Sequence, residues 1–537
     1  MKRFKDPIYG YIEIDEFVAE NIIDTAEFQR LRQVIQTSYS PLYASAVHNR
    51  FVHSLGVYYL GKIVTSIIEK PDEMSELSID LKRYKTIFEY ACLLHDVGHA
   101  PFSHTGEYFY LDVGSSRDKL HQEILTLTSD TSLKDEIEKR KYSAAPHELM
   151  SVIVALKIFE PLFENDGERS FFARCILGYN YFNNVDLDKS FLNCMISMLN
   201  SSLIDVDKLD YLIRDAYITG FDTVAIDYER LLKSIKIIVE DDKCKLVFSK
   251  SAVSIIENVV FAHDAERKWI QNHPVVQYEA FILKHAMEKL NNDYSLFGYE
   301  ALSKSGKILN DDFKISLLSD GDVIFLMKNC FDDRLIEEYF ARNKRRHPLW
   351  KSESEYKAIF KPFSRDNFEE LENEFEELAK YLNYNNMSSV INDQALSALN
   401  EDIAKSEFEL KADNQENKTL AKRFEKQIEQ KRKHLKWISC FKKFSEEQGI
   451  DFDFVIIKAD QFNSGFGKVA FDELEIYFPE LSATLKFKEV ANTLSSEKSA
   501  RDKFYYIFYR RKADVSVNVK NLARKLNVLA MEACYRI

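Results

Sequence analysis

One stretch of this chain constrains its fold more than any other: an apolar helix that runs into a His-Asp pair and then into helix breakers. Apolar side chains recur at helical spacing over residues 84–95. His95 and Asp96 stand at the end of this helix, and Gly98 and Pro101 then break it. Neutral imidazoles and carboxylates are the ligands that a borderline divalent metal takes. The stretch therefore predicts the centre of a metal site.

Histidines are concentrated in one part of the sequence, where seven of the 12 lie within residues 48–147. Each of them alone is more often a surface or core histidine than a ligand. His53 begins one predicted helix, and Asp207 lies on another. Metal sites are commonly built between the helices of a bundle. These two residues, together with His95 and Asp96, could supply four ligands to one ion.

Length, composition and net charge restrict the kinds of protein that this chain can be. A length of 537 residues exceeds one compact core, so two or three domains are expected. No apolar run approaches the ~18 residues that a membrane span needs, and seven cysteines without CxxC spacing favour reduced thiols. The net charge of −13 does not indicate nucleic-acid binding, although local basic patches leave it possible. We expect a cytoplasmic protein with no membrane partner.

The hydrophobic periodicity changes along the chain. A β-hairpin is predicted over residues 4–14, whereas the polar, interrupted residues 114–145 favour a surface excursion. Charged residues dominate residues 364–447, where Leu and Phe recur at helical intervals, and this pattern is typical of long exposed helices. Period-two alternation then predicts three strands, at residues 452–457, 474–478 and 504–509.

Four segments carry long motifs, at residues 6–10 (Asp-Pro-Ile-Tyr-Gly), 48–57, 95–104 and 204–215. In this order they resemble the HD-domain phosphohydrolase superfamily, and within it the deoxynucleoside triphosphate triphosphohydrolase (dNTPase) branch. The resemblance extends over the first half of the chain. It implies an HD-domain helical core. Together with the charged helices and the late strands, this predicts a mainly α fold with an HD-domain helical core, a charged helical extension and a small C-terminal α+β module.

The domain boundaries that we predict follow from this resemblance and from the changes in composition. They are an HD-type core at residues 1–300, a helical continuation of the core at 301–363, the charged extension at 364–447 and the α+β module at 448–537.

The resemblance also implies which residues do the chemistry. The metal, whether Mg, Mn, Fe or Zn, would be bound by His53, His95, Asp96 and Asp207. The catalytic residues would be His99, His104, Glu107 and His147. His147 resembles the family's general acid, and Glu107 would orient it at a place where the family usually has Asp.

Substrate-binding residues are implied in the same way. Arg50 would reach the α-phosphate, for which a guanidinium fork is suited. Lys208, Tyr211 and Asp215 share one helix face at i, i+3 and i+7 and would meet the triphosphate and the sugar. Gln36 is assigned near the base or sugar, and Tyr278 is assigned to the sugar. Residues 44–47 depart from the Pro-Gly-Ala turn that the family usually carries.

The function implied is the metal-dependent hydrolysis of dNTPs to deoxynucleosides and inorganic triphosphate. Two alternatives stay open. One is another HD-type phosphohydrolase or phosphodiesterase that acts on nucleotides or oligonucleotides, and the other is a nucleotide-sensing or nucleic-acid-binding scaffold. The expected partners are the dNTP substrate, an activator nucleotide and further copies of the chain in a homo-oligomer.

Overall fold

The structure is a computed structural model in which the chain forms two compact units. Unit 1 comprises Met1–Ile270, Ala286–Phe331 and Asn463–Lys498, and unit 2 comprises Gln271–His285, Asp332–Phe462 and Ser499–Ile537. The residues that the structure describes are 1–38, 40–72, 74, 78–111, 116–139, 144–183, 185–201, 204–294, 307–308, 311–312, 317–330, 332–364, 368–384, 390–412, 418–459, 474–481, 483–491, 504–512 and 515–534.

Helices make up most of both units. In chain order the α-helices are α1 (Glu16–Val18), α2 (Ala26–Gln29), α3 (Arg50–Ile67), α4 (Leu81–Leu94), α5 (Ser116–Thr128), α6 (Thr131–Lys139), α7 (Pro146–Ile158), α8 (Asp166–Leu177), α9 (Leu187–Leu199), α10 (Val206–Thr219), α11 (Tyr228–Lys233), α12 (Val253–Glu266), α13 (Pro274–Tyr294), α14 (Asp320–Met327), α15 (Arg334–Phe340), α16 (Glu353–Ser364), α17 (Phe368–Tyr384), α18 (Asp393–Ala412), α19 (Lys418–Gln448), α20 (Phe487–Val490) and α21 (Val519–Cys534).

The strands are short and fall into four groups. They are β1 (Lys2–Asp6), β2 (Gly10–Ile14), β3 (Ile235–Glu240), β4 (Lys243–Ser249), β5 (Lys307–Ile308), β6 (Asp311–Asp312), β7 (His347–Pro348), β8 (Val390–Asn392), β9 (Asp453–Ala459), β10 (Glu475–Phe478), β11 (Ala483–Lys486) and β12 (Phe504–Tyr509). The sheet order is β11-β10-β4-β3 in unit 1 and β7-β12-β9-β8 in unit 2, while β1-β2 and β5-β6 are separate pairs.

In unit 1, helix α3 packs against both α4 and α10, and two of its glycines allow the close approach. A Cβ added at Gly61 would lie 2.6 Å from Cys92 Sγ on α4, and one added at Gly56 would lie 1.9 Å from Asp210 Oδ1 on α10. The three helices therefore meet more closely than side chains at these positions would permit. This packing brings the start of α3, the end of α4 and the start of α10 together.

Unit 2 has its own apolar core, which includes the fully buried Trp350 and Trp437. The predicted charged helices are found as α17, α18 and α19. They are amphipathic, because apolar residues such as Leu371 and Phe375 are buried while the acidic and basic residues mostly face outward. The charged residues therefore lie mainly on one face of each helix, and the opposite face packs in the core of unit 2.

The predicted mainly α fold, with a helical HD-type core and a small C-terminal α+β module, is confirmed. The hairpin over residues 4–14 is present as β1 and β2, and the three late strands are present as β9, β10 and β12. The predicted surface excursion over residues 114–145 is wrong, since α5 and α6 lie there and bury Leu120, Ile124 and Leu133. Spaced apolar residues in a polar sequence were enough to anchor these helices.

The predicted boundaries at residues 300, 363 and 447 stay predictions. The two compact units are each discontinuous along the sequence. One reason is visible in the C-terminal segment, where β10 pairs in parallel with β4 of unit 1 while β9 and β12 pair with each other in unit 2. Within the described ranges, no helix is both long and apolar enough to cross a lipid bilayer.

Candidate active site

Four side chains that are far apart in sequence converge in unit 1. His53 lies in the first turn of α3, His95 caps the end of α4, Asp96 follows it, and Asp207 lies in the first turn of α10. His53 Nε2 lies 3.3 Å from His95 Nε2 and 3.0 Å from Asp207 Oδ1. Asp96 Oδ2 lies 3.6 Å from His53 Nε2 and 3.5 Å from His95 Nε2. The donor atoms thus cluster at the spacing of ligands that share one ion.

The two imidazoles are oriented by hydrogen bonds on their far nitrogens. His53 Nδ1 lies 2.7 Å from Asp210 Oδ2, and His95 Nδ1 donates to the carbonyl oxygen of Cys92 at 2.9 Å. Each Nε2 is therefore directed at the cluster, as in carboxylate–histidine–metal arrangements. Within the described residues, His53, His95 and Asp207 have donor atoms that all lie within 4.8 Å of one another. This set of nitrogen and oxygen donors fits a divalent transition metal.

A buried charge network fixes Asp210, a residue that the sequence analysis did not assign. Arg214 Nε and Nη2 each donate to the Asp210 carboxylate at 2.9 Å, and Tyr9 donates its hydroxyl to Asp210 Oδ1 at 2.8 Å. Arg214 Nη1 also donates to Asp6 Oδ2 at 2.9 Å. The Asp-Pro-Ile-Tyr-Gly motif is thereby joined to the metal ligand His53. The spacing of Asp210 and Arg214 at i and i+4 was the signal available in the sequence.

Electrostatics at the cluster favour ionised carboxylates. Burial opposes the charge on Asp210, but Arg214 and His53 hold its pKa at about 2. Burial likewise opposes the charge on Asp96, while Arg50 and the two histidines lower its pKa. For Asp207, hydrogen bonds to His53 and His95 outweigh burial and keep its pKa well below the ordinary range. The carboxylates are therefore charged and ready to bind a cation at neutral pH.

Arg50 lies beside the cluster and is buried. Its Nη1 donates to Asp96 Oδ2 at 2.7 Å, and its Nε donates to Ser103 Oγ at 2.9 Å. Its Nη2 donates more weakly to the carbonyl oxygen of Gln36, at 3.4 Å. The guanidinium is held in place next to the predicted metal position. An anionic ligand at the cluster would meet a fixed positive charge there.

A second cluster contains all four predicted catalytic residues. His147 Nδ1 lies 2.5 Å from Glu107 Oε2, and His104 Nδ1 lies 3.1 Å from Glu107 Oε1. The rings of His99 and His147 stack with their centroids 4.4 Å apart. Donor atoms of these four residues also lie within 4.8 Å of one another, so this cluster is a second group that could hold a metal.

The histidines of this second cluster differ in charge. Burial disfavours the protonated form of His147, but the Glu107 carboxylate raises its pKa to about 9. Burial and the neighbouring cation Arg50 lower the pKa of His99 well below its usual value. His147 is therefore protonated at neutral pH and His99 is neutral. Both ring nitrogens of His99 are buried without a hydrogen-bond partner, so they are available to a ligand.

The predicted substrate residues of α10 lie along the same helix as Asp207. Lys208 Nζ is 2.5 Å from Asp205 Oδ2 and also donates to the carbonyl oxygen of Ser201 at 2.7 Å. Asp215 is buried, and its Oδ1 lies 2.6 Å from His48 Nε2. Burial raises the pKa of Tyr211 well above its ordinary value, so its phenol stays protonated.

The two remaining predicted substrate-binding residues are Gln36 and Tyr278. Gln36 is buried, its backbone N–H donates to the carbonyl oxygen of His48 at 3.0 Å, and its side-chain Oε1 has no hydrogen-bond partner. Tyr278 belongs to unit 2. There it is buried in the apolar core, where its hydroxyl donates to Glu338 at 2.6 Å and accepts from Arg346 at 3.1 Å.

Comparisons with known proteins add to this geometry. No family model matches the sequence. YwfO of Bacillus subtilis, an uncharacterised protein, is 27% identical over 304 residues, which are 55% of this chain and 58% of YwfO. The deoxynucleoside triphosphate triphosphohydrolase SAMHD1 of Xenopus laevis is 32% identical over 244 residues, which are 44% of this chain and 37% of that protein. The chain spans about half the length of the curated relatives it matches.

A solved structure is also similar. The crystal structure of a phosphohydrolase from Bacteroides thetaiotaomicron matches over 95% of this chain and 100% of that chain, with a TM-score of 0.54. The two sequences are 18% identical. At this level of identity the likeness concerns the fold alone.

Proposed function

Because the chain belongs to the HD-domain, dNTPase-like family, we propose that it is a metal-dependent hydrolase that converts dNTPs to deoxynucleosides and inorganic triphosphate. The single observation that carries this proposal is the cluster of His53, His95, Asp96 and Asp207 donor atoms, 3.0–3.6 Å apart in the pairs measured. A metal ion held by these donors, together with Arg50 and Lys208, would supply the positive charge that a tetra-anionic triphosphate requires.

The proposed metal ligands are these same four residues. Two imidazole nitrogens and two carboxylate oxygens suit iron, manganese or zinc more than magnesium, which prefers an all-oxygen shell. A bound divalent ion would supply Lewis-acid stabilisation of the charge that develops on the phosphate oxygens. The Asp207 side chain keeps 37% of its surface exposed, which supports access of a ligand from that side.

The protein's own cations would neutralise and orient the triphosphate. Arg50 is the proposed contact to the α-phosphate, because its guanidinium is buried and braced by Asp96 and Ser103. Lys208 is the proposed contact to the outer phosphates. Its side chain is 28% exposed, so the ammonium can turn from Asp205 toward an anionic substrate.

Proton transfer to the leaving group is assigned to His147. Its pKa of about 9 keeps it protonated at neutral pH, and Glu107 holds the ring through Nδ1. The opposite nitrogen can then donate to the 5′-oxygen as that oxygen departs. His99 is proposed to contact phosphate oxygens, and His104, which is largely exposed, to complete the same cluster.

Sugar and base contacts are proposed for Tyr211, Asp215 and Gln36. A tyrosine packed under the sugar could reject a 2′-hydroxyl by contact, which would favour deoxy substrates. We further propose that the chain acts as a homo-oligomer that an activator nucleotide regulates.

A product assay tests the proposal. Purified protein with Mn²⁺, Mg²⁺ or Fe²⁺ is incubated with each of the four dNTPs, with and without added activator nucleotides. After removal of the metal, reversed-phase chromatography measures the deoxynucleoside and phosphorus-31 NMR measures the inorganic triphosphate. We expect equal amounts of inorganic triphosphate and deoxynucleoside, and loss of both products in His95→Ala. Release of orthophosphate or a nucleoside monophosphate would instead indicate another HD-type phosphohydrolase, and no turnover of any nucleotide would favour a binding scaffold.

A further inference from the structure

Asp320 holds two backbone segments of the site from a distant part of the sequence. It is the first residue of α14, is buried within unit 1, and belongs to none of the motifs above. Its Oδ1 accepts a hydrogen bond from the backbone N–H of Phe102 at 2.7 Å. Its Oδ2 accepts one from the backbone N–H of Ile35 at 2.9 Å. One carboxylate thus joins the chain after the His-Asp pair to the chain that precedes Gln36.

The segment that Asp320 holds has an unusual backbone. Phe102 and Ser103 have φ values of 57° and 54°, a left-handed conformation that residues other than glycine rarely adopt. This turn points Ser103 Oγ at Arg50 Nε, 2.9 Å away, and the same hydroxyl donates to the carbonyl oxygen of Ile35. Such backbone persists only where the surrounding structure over-determines it. The Asp320 carboxylate is one of the groups that does so.

Arg30 secures the other end of the same segment. Its Nη1 donates to the carbonyl oxygen of Leu318 at 2.8 Å. Its Nη2 donates to the carbonyl oxygens of Val97 and His99, at 3.0 and 2.9 Å. The chain just before α14 and the chain just after Asp96 are therefore tied together a second time. His99 lies on the part that is held from both sides.

The charge of Asp320 is compatible with this role. Burial raises its pKa to about 6, against the lowering effect of the two backbone N–H groups. The side chain is still ionised at neutral pH, where both oxygens can accept. Arg30 and Arg50 are the charged groups that act on it.

We propose that Asp320 is a positioning residue that holds the left-handed turn at Phe102 and Ser103 and so sets Arg50 and His99 for the phosphate. This role rests on the function proposed above. Displacing catalytic groups by about 1 Å typically costs about 100-fold in rate. The hydrogen bonds of Asp320 go to the backbone N–H groups of Ile35 and Phe102 and to none of the proposed metal ligands, so metal binding is expected to persist without it.

The test compares Asp320→Ala and Asp320→Asn with Asp322→Asn. Asp322 is two residues away on α14, where its carboxylate accepts hydrogen bonds from the backbone N–H and the hydroxyl of Ser319 and from neither Phe102 nor Ile35. Asp320→Asn keeps the side-chain volume, which guards against a variant that fails to fold. Hydrogen exchange by mass spectrometry reports on residues 31–36 and 97–105, calorimetry measures Mn²⁺ binding, and triphosphate release gives kcat and KM.

We expect kcat/KM of Asp320→Ala to fall about 100-fold, through a lower kcat and a higher KM. The decrease in Asp320→Asn should be smaller. Both should lose exchange protection in the two segments while Mn²⁺ affinity stays within about threefold of wild type, and Asp322→Asn should match wild type. Unchanged protection or unchanged kcat/KM in Asp320→Ala would overturn the role. Absence of triphosphate from the wild-type protein would contradict the proposed function instead, and the exchange comparison would still decide whether Asp320 holds the turn.

Discussion

At the scale of single residues, the partner of each histidine decides what that histidine can do. His53 and His95 use Nδ1 for hydrogen bonds to Asp210 and to a backbone carbonyl, which leaves Nε2 for a metal. His147 is held protonated by Glu107, whereas the stacked His99 is neutral. The roles of these histidines could be predicted from the sequence, but their protonation states could not. The protonation states depend on contacts between helices that are distant along the chain.

The pH dependence of activity follows from His147. Its pKa is raised to about 9 in the folded protein, so the protonated form persists at neutral pH and is lost as the pH rises through 9. We expect kcat to fall on that alkaline side. His147→Asn should lower kcat by about 10²- to 10⁴-fold and abolish this limb of the pH–rate profile.

The matched control for that variant is His347→Asn, which replaces an exposed histidine in unit 2. It should keep both the rate and the alkaline limb. A wild-type rate that stays constant from pH 8 to pH 10 would contradict the assignment of His147 as the proton donor.

The outer hydrogen bond of His53 can be tested through Gly56. A Cβ at this position would lie 1.9 Å from Asp210 Oδ1 and 2.5 Å from Arg214 Nη2. Gly56→Ala should displace the Asp210–Arg214 pair and weaken Mn²⁺ binding by about 10- to 100-fold in calorimetry. Gly321→Ala is the control, since its added methyl group would meet no atom closer than 3.7 Å. Equal Mn²⁺ affinities of the two variants would rule out this role of the pair.

At the scale of secondary structure, α10 combines metal binding, charge and packing within a few turns. Apolar residues recur at helical spacing over residues 191–217 of the sequence, a pattern that predicts helix with one break, and α9 and α10 are found with a break between them. The side chains that α10 directs toward Tyr9 and Asp6 could not be read from the sequence, because they depend on how the N-terminal hairpin docks. Tyr278 shows the same limit, since its place in the core of unit 2 follows from long-range packing.

The N-terminus of α10 gives a prediction at this scale. Asp205 accepts from the backbone N–H of Lys208 at 2.8 Å and also binds the Lys208 ammonium. Asp205→Ala removes these contacts and also the hydrogen bond that Asp205 Oδ2 accepts from the backbone N–H of Ser201 at 3.0 Å. It should cost at least about 1 kcal/mol, typical of a lost N-cap, in urea denaturation followed by circular dichroism. Asp205→Asn can still cap the helix, so it should be more stable than Asp205→Ala. If Asp205→Ala were as stable as wild type, the cap would have no energetic role.

At the scale of the whole molecule, the two compact units have separate roles in this account. All four proposed metal ligands and all four proposed catalytic residues belong to unit 1, whereas the charged helices form part of unit 2. The mainly α class was predictable from periodicity and motifs. The interleaved units were not, because the pairing of β10 with β4 joins residues more than 200 positions apart.

Removal of the metal should therefore lower the stability of unit 1 and leave that of unit 2 unchanged. An ion present at about 100 times its dissociation constant stabilises a folded protein by about 2.7 kcal/mol. Differential scanning calorimetry with and without Mn²⁺ should show one transition that shifts upward, and the transition of unit 2 should stay in place. Asp207→Asn should reduce or abolish the Mn²⁺-dependent rise in the unfolding temperature of unit 1. A shift in both transitions, or a full shift in Asp207→Asn, would contradict this assignment.

Anomalous diffraction at the manganese edge can locate Mn²⁺ in crystals of the protein and so identify the side chains that bind it. We expect an anomalous peak enclosed by His53, His95, Asp96 and Asp207. A peak among His99, His104, Glu107 and His147 alone, or no peak within reach of His95 and Asp207, would contradict it.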